Sequence, residues 1–246
     1  MIQAEQEYEW NAMRKLWHFA GCLLMIAIFY LWKDLKGPVP GEDIMVVFAW
    51  AETAIALGID LIRFYSPRSN EAVARLPFYG KLMRRVEKNH FNATTYYLLA
   101  AAILVTLYRF GLCREATLVA SIMVLGVADP VAAWTRSRLA RRGIEYARVY
   151  GAFSFVIASF LTLWFVSRTL HGPFAPEHLL VIGLIVAVVE SYTKYWVLFL
   201  HPVTRRVQRL IAHKTTVWIF RFYPDDNLLI PLTVALLMGM LPWFLR

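Results

Sequence analysis

Apolar positions gather in seven runs, and polar positions in the segments between them. The runs cover residues 16–32, about 44–62, about 93–108, about 116–134, 149–167, 178–199 and about 228–245. Runs of this length and content predict helices that cross a membrane. Several are short for a hydrocarbon layer that asks for about 20 residues, so flanking polar side chains must lie at headgroup level. The expectation is an all-α, polytopic membrane helix bundle of about seven spans, forming one integral membrane domain over residues 1–246.

The polar segments alternate in charge density. Segment 63–91 holds Arg63, Arg68, Arg75, Lys81, Arg84, Arg85 and Lys88 against Glu71 and Glu87. Segment 135–148 holds Arg136, Arg138, Arg141, Arg142 and Arg148 against Glu145, and segment 200–224 holds five basic residues and no acid. Segments 33–43, 109–115 and 168–177 are shorter and share five basic residues. By the positive-inside rule the N-terminus and the three rich segments are cytoplasmic and the C-terminus is outside. After Pro202, Val203, Val207, Leu210 and Ile211 recur on one face, which predicts a helix beginning there and lying in the interface; 78–88 is a weaker case of the same kind.

Composition changes the picture in three places. A chain 59% hydrophobic, with nine Trp and sixteen Phe, cannot be read as a basic soluble protein, so its net charge of +9 does not imply nucleic acid. Cys22 and Cys113 alone make neither a disulfide framework nor a cysteine metal motif. The opening MIQAEQEYEW carries three Glu and no Lys or Arg, unlike a signal peptide, and is expected to be retained.

The topology also places many ionisable residues at one depth, near the cytoplasmic side. These are Arg14, Lys15 and His18; Asp60 and Arg63; Glu87, His90 and Asn92; Asp129; Glu190; and Asp225, Asp226 and Asn227. Charges facing hydrocarbon are costly, so those inside a bundle mark a pair, a path or a site. Carboxylates within reach of one another hold Mg²⁺ through oxygens, and Arg and Lys hold phosphates. Simpler accounts exist for single members. Arg14 and Lys15 fit an orientation anchor, Asp225 and Asp226 a helix N-terminus, and Glu190 with Lys194 an i,i+4 pair.

The segment Arg14-Lys15-Leu16-Trp17-His18, followed by Gly21, resembles the opening motif of the CTP-dependent lipid-alcohol kinases, the dolichol, phytol and farnesol kinases and the fungal CTP-using diacylglycerol kinase. Asp226-Asn227-Leu228-Leu229-Ile230-Pro231-Leu232 resembles the family's late Asp-Asn stretch. Glu87 with Thr94-Thr95-Tyr96-Tyr97, Gly126 to Ala133 (GVADPVAA) and Glu190 are similar to its middle and penultimate motifs. The chain departs from the pattern at Ala128, where the family has Gly, and at Ala147, where it has Lys; Arg148 is the nearest charge.

The resemblance implies transfer of the γ-phosphoryl group of CTP to the hydroxyl of a membrane lipid alcohol, most simply an isoprenoid one, with Mg²⁺ or another divalent cation. Asp129, Asp226, Glu190 and His18 would serve the chemistry, and Asp129, Asp226 and Asp225 the metal. Arg14, Lys15, Arg148, Asn227 and Asn92 would bind the nucleotide. The expected setting is a bacterial-type inner membrane with the site on the cytoplasmic side. Two alternatives stay open: a phosphatidate cytidylyltransferase-like enzyme, whose dense C-terminal motif is missing here, and a non-catalytic transporter or binding protein.

Overall fold

In a computed structural model, residues 12–76, 90–210 and 225–244 are described. Their regular structure is helical: α1 (Ala12–Trp32), α2 (Gly41–Tyr65), α3 (Pro67–Ala74), α4 (Ala93–Arg109), α5 (Glu115–Arg141), α6 (Ala147–Thr169), α7 (Pro176–Leu210) and α8 (Asp226–Phe244). Five are long and apolar enough to cross a membrane: α1, α2, α5, α6 and the Pro176–Thr193 part of α7. Two shorter apolar helices, Ala93–Arg109 and Asp226–Met240, stand where the sequence predicts the third and seventh spans. The protein is therefore an all-α membrane helix bundle with five candidate spans.

Helix α5 is the hub. Of its apolar window 72% is buried, against 17% for α1 at the periphery. It packs on α1, α4, α6 and α8, while α7 packs on α6 and α8 and α2 on α4. The core joins Leu104 of α4, Leu118, Leu125 and Ala128 of α5, Phe155 and Leu163 of α6, Ile182 and Val186 of α7, and Ile230 and Val234 of α8. Outward faces stay apolar, as in the row Phe153, Ile157 and Leu161 on α6 or Leu23, Leu24 and Leu31 on α1. In water such faces would be a liability; against lipid they are the favourable solvent contact.

Small residues set how closely the hub is approached. A Cβ on Gly126 of α5 would lie 2.8 Å from Cys22 Cβ and 2.9 Å from its Sγ, so α1 rests directly on the α5 backbone there. Close backbone approach at small residues is a principal source of helix association where no hydrophobic effect drives it.

The end of the bundle that carries the short connections is fastened by ion pairs. Arg109 Nε donates to Asp43 Oδ1 at 2.6 Å, and Lys33 Nζ to Glu115 Oε2 at 3.0 Å. Cations of the short segments are thus held by acids of neighbouring helices.

Two elements run further than the hydropathy pattern predicts. Helix α5 does not stop near 134 but continues to Arg141, so Arg136 and Arg138 are helical and not loop residues. Arg138 and Arg141 suit a last turn, where the helix dipole favours cations. The helix ends in a Schellman motif: Gly143, at φ 72°, donates to Ala140 O at 2.9 Å, and Ile144 N donates to Leu139 O at 3.1 Å. Helix α7 likewise passes through Pro202 to Leu210 in place of the new helix expected there. Proline removes one ladder hydrogen bond, which bends or weakens a helix but need not end it. The 78–88 segment and Glu87 lie outside the described residues, as does 211–224.

Candidate functional site

Three carboxylates from three helices converge in the bundle. Asp129 of α5, Glu190 of α7 and Asp226 of α8 each bring an oxygen within 4.8 Å of the others, and all three are buried. That separation is the span across which one oxygen-liganded cation reaches its ligands. Burying three acids together is unfavourable unless positive charge accompanies them.

Helix α1 supplies part of that charge. Lys15 Nζ donates to Asp129 Oδ2 at 2.5 Å, inside the protein and across 114 residues of sequence. The Gly126–Cys22 contact lies on the same pair of helices and sets the separation at which the lysine reaches. Arg14 is buried beside Lys15 at 4% exposure, so the pair is no surface anchor. His18, one turn along α1, lies within electrostatic reach of Arg14, Lys15, Asp129 and Asp226. Its Nδ1 is buried without a hydrogen-bond partner among the described residues.

Arg136 supplies the other ion pair. Its Nη1 lies 2.8 Å from Glu190 Oε1, with 13% of the Arg136 side chain exposed and none of Glu190's. Asp129 and Asp226 also lie within its electrostatic reach. The sequence pattern counts Arg136 only among the charges that orient the chain. Its spacing held the missed signal, because seven residues after Asp129 is two turns along the same helix face. The i,i+4 account of Glu190 with Lys194 is not required, since Arg136 already pairs with Glu190; the Lys194 side chain lies outside the described residues.

Gly151 of α6 makes room for that arginine. A Cβ at position 151 would stand 2.1 Å from Arg136 Cγ and 2.8 Å from its Cδ. The stem of Arg136 therefore lies in a slot that only glycine leaves open, and no feature of the sequence alone announces it.

The start of α8 is built around two acids with different duties. Asp225 is the N-cap, its Oδ1 accepting from Asn227 N at 2.9 Å. Asp226 points into the cluster and accepts from Asn227 Nδ2 at 3.1 Å. The same Nδ2 donates to Asp225, which fixes the amide orientation. Asn227 Oδ1 is left buried without a hydrogen-bond partner among the described residues, in a residue 1% exposed. A buried amide oxygen without a partner, on the residue whose Nδ2 holds Asp226, has the chemistry of a cation ligand.

Prolines add to the polar character of this end. Pro130, next to Asp129, and Pro231, four residues after Asn227, bring no N–H to their helices. The carbonyls of Gly126 and Asn227 thereby lose their i+4 donors.

The remaining expected residues lie elsewhere. Asn92 is the N-cap of α4, with its Oδ1 accepting from Thr94 N at 2.8 Å. It belongs to a second set of bonds, around Asp60. Asp60 pairs with Arg63, and its Oδ2 accepts from Asn92 N at 2.8 Å and Thr95 Oγ1 at 2.7 Å. Arg63 Nε reaches Asn70 Oδ1 of α3 at 3.3 Å. These bonds tie α2, α3 and α4 together, and they account for Asp60 and Arg63 without a ligand. Arg148 is exposed in the first turn of α6. Asp225 is not among the three converging acids.

The structure thus brings together Lys15, Asp129, Glu190, Asp226 and Asn227, with Arg14 and His18 alongside, and adds Arg136. No family model, curated protein or solved structure matches the chain.

Proposed function

We propose that the protein is a membrane phosphotransferase that moves the γ-phosphoryl group of CTP onto the hydroxyl of a lipid alcohol of isoprenoid type. The observation that carries the reading is the convergence of Asp129, Glu190 and Asp226 within 4.8 Å. Lys15, Asp129, Glu190 and Asp226, which come from segments that resemble motifs of the CTP-dependent lipid-alcohol kinases at opposite ends of the chain and in its middle, meet at this one place. In this reading the two shorter apolar helices complete seven spans, and the cluster faces the cytoplasm, where nucleotide and lipid headgroup coincide.

The residues divide the work by their chemistry. Asp129, Glu190 and Asp226 hold the divalent cation, with Asn227 Oδ1 as a further oxygen. When bound, that ion supplies charge neutralisation to the phosphate oxygens. Arg14 and Lys15 hold the phosphate chain, and His18 orients it. Asp226, in the first turn of α8, takes the proton of the lipid hydroxyl. The hydroxyl oxygen forms its bond to the γ-phosphorus as the bond from that phosphorus to the β–γ bridging oxygen breaks, and CDP leaves with the electron pair.

The test uses pure protein in nanodiscs with Mg²⁺ and γ-labelled CTP or ATP, offered isoprenoid alcohols and diacylglycerol. Label enters one lipid with CTP. The substitution Asp226→Asn lowers turnover by about 100-fold or more, the usual scale for a lost general base. Full turnover in that variant removes the role given to Asp226. A nucleotide-linked lipid product indicates cytidylyl transfer, and absence of both transfer and nucleotide binding ends the kinase reading.

A further inference from the structure

The cluster already holds positive charge that a divalent cation would have to share. Three acids carry a formal charge of −3, and the two ion-pair partners Lys15 and Arg136 bring +2. Among the described residues, Lys15 occupies Asp129 Oδ2 and Arg136 occupies Glu190 Oε1, so a divalent cation gains a further carboxylate oxygen wherever one of these heads withdraws. Lys15 is held where α1 rests directly on α5 through Gly126 and Cys22. Arg136 differs, because its stem runs along the backbone of α6 in the slot at Gly151 and its head alone reaches Glu190. A long side chain in an open slot can withdraw its head without moving a helix.

We propose that Arg136 is the resident counter-ion of the site. It keeps Glu190 in charge balance until a divalent cation takes that carboxylate, and the released guanidinium then takes an oxyanion of the phosphate chain. The inference rests on the metal and phosphate reading above and deepens it. Asn227 adds a second observation, since the amide whose Nδ2 donates to Asp226 has its Oδ1 buried without a hydrogen-bond partner among the described residues. A guanidinium presents paired N–H groups that match phosphate oxygens as well as a carboxylate, so the exchange trades one charged hydrogen bond for another. Cation and phosphate binding then become linked: each favours the other because Arg136 cannot serve both partners.

The experiment measures Mn²⁺ alone, by loss of the free-ion paramagnetic signal, with full-length protein in phosphatidylcholine nanodiscs. Pyrophosphate binding at saturating Mn²⁺ is measured by calorimetry. In Arg136→Gln the site loses a competitor for the metal and a partner for the phosphate. Mn²⁺ therefore binds about fivefold or more tightly, and pyrophosphate about fivefold or more weakly, on the scale of ordinary coupling between sites. Gly151→Ala displaces the same stem while keeping every charge, and it shifts Mn²⁺ affinity in the same direction. Arg136→Lys restores affinity toward wild type. The opposite signs are diagnostic, because a merely damaged fold weakens both ligands. Unchanged or weaker Mn²⁺ binding in Arg136→Gln, with wild type binding Mn²⁺ and Glu190→Gln not, overturns the counter-ion role alone. Wild-type protein that binds no Mn²⁺ overturns the metal reading with it.

Discussion

Removal of the Asp60 carboxylate is the sharpest test of how the bundle holds its buried charge. The Asp60 and Arg63 side chains are both fully inaccessible. In Asp60→Ala the guanidinium stays buried without its acid, which costs about 3–5 kcal/mol. The Asn92 N–H loses its acceptor as well, for about 1–3 kcal/mol more. Arg63 keeps Asn70 Oδ1 at 3.3 Å and the face of Phe64 at 5.6 Å, which draws the first figure to its lower end. The expected loss is about 4 kcal/mol. In Asp60→Ala with Arg63→Met the stranded charge is gone, and the Asn92 N–H, the Thr95 hydroxyl and Asn70 Oδ1 lose the partners described above, so the loss falls to about 2 kcal/mol. Reversible unfolding in mixed micelles, followed by circular dichroism, reads all the variants as a double-mutant cycle. A single substitution within about 1 kcal/mol of wild type, or a double variant as costly as the two singles added, refutes the reasoning.

Other consequences are as direct. Gly126→Val places side-chain atoms where Cys22 lies and forces α1 off α5; unfolding studies should show a loss of about 1–3 kcal/mol, and an unchanged midpoint would mean that the helices do not touch there. Lys33 is raised above an ordinary lysine, first by its hydrogen bond to Glu115. A raised folded value means that the pair's stabilisation is whole below about pH 10.4, the unfolded lysine value, and fades as pH rises through the folded one. Thermal midpoints of wild type should therefore fall more steeply than those of Glu115→Gln above that pH, and parallel curves would dismiss the link. Burial pushes the Cys113 thiol up to about 12, and Cys22 is 1% exposed. A maleimide at pH 7.5 should label neither cysteine in folded protein and both in dodecyl sulfate, and one fast label would contradict the packing.

Much of this architecture can be read from the chain because membranes impose a simple rule on it. Apolar runs become helices, and acids inside them seek partners. The carboxylates Asp129, Glu190 and Asp226 are therefore recognisable before any contact is known. Their mutual distance is not, since it depends on how three helices far apart in sequence pack. Arg136 shows the limit most clearly. Its neighbours Arg138, Arg141 and Arg142 are of the same type, and composition treats all four as one basic loop. Only the continuation of α5 past residue 134, with a glycine on the facing helix, separates the partner of Glu190 from ordinary orientation charge. Asn92 is the converse: a polar residue at the expected depth whose side chain caps α4.

The long sequence separation of Lys15 and Asp129 bears on how the protein is made. A ribosome delivers α1 to the bilayer more than a hundred residues before α5 emerges. During that interval the Lys15 ammonium has no Asp129 to meet, so it must remain near the interface, where water and lipid phosphates solvate it. The arrival of α5 brings the carboxylate that Lys15 pairs with inside the protein. Insertion and folding are therefore coupled at this position: Lys15 gains its buried partner only when α5 is present to supply it.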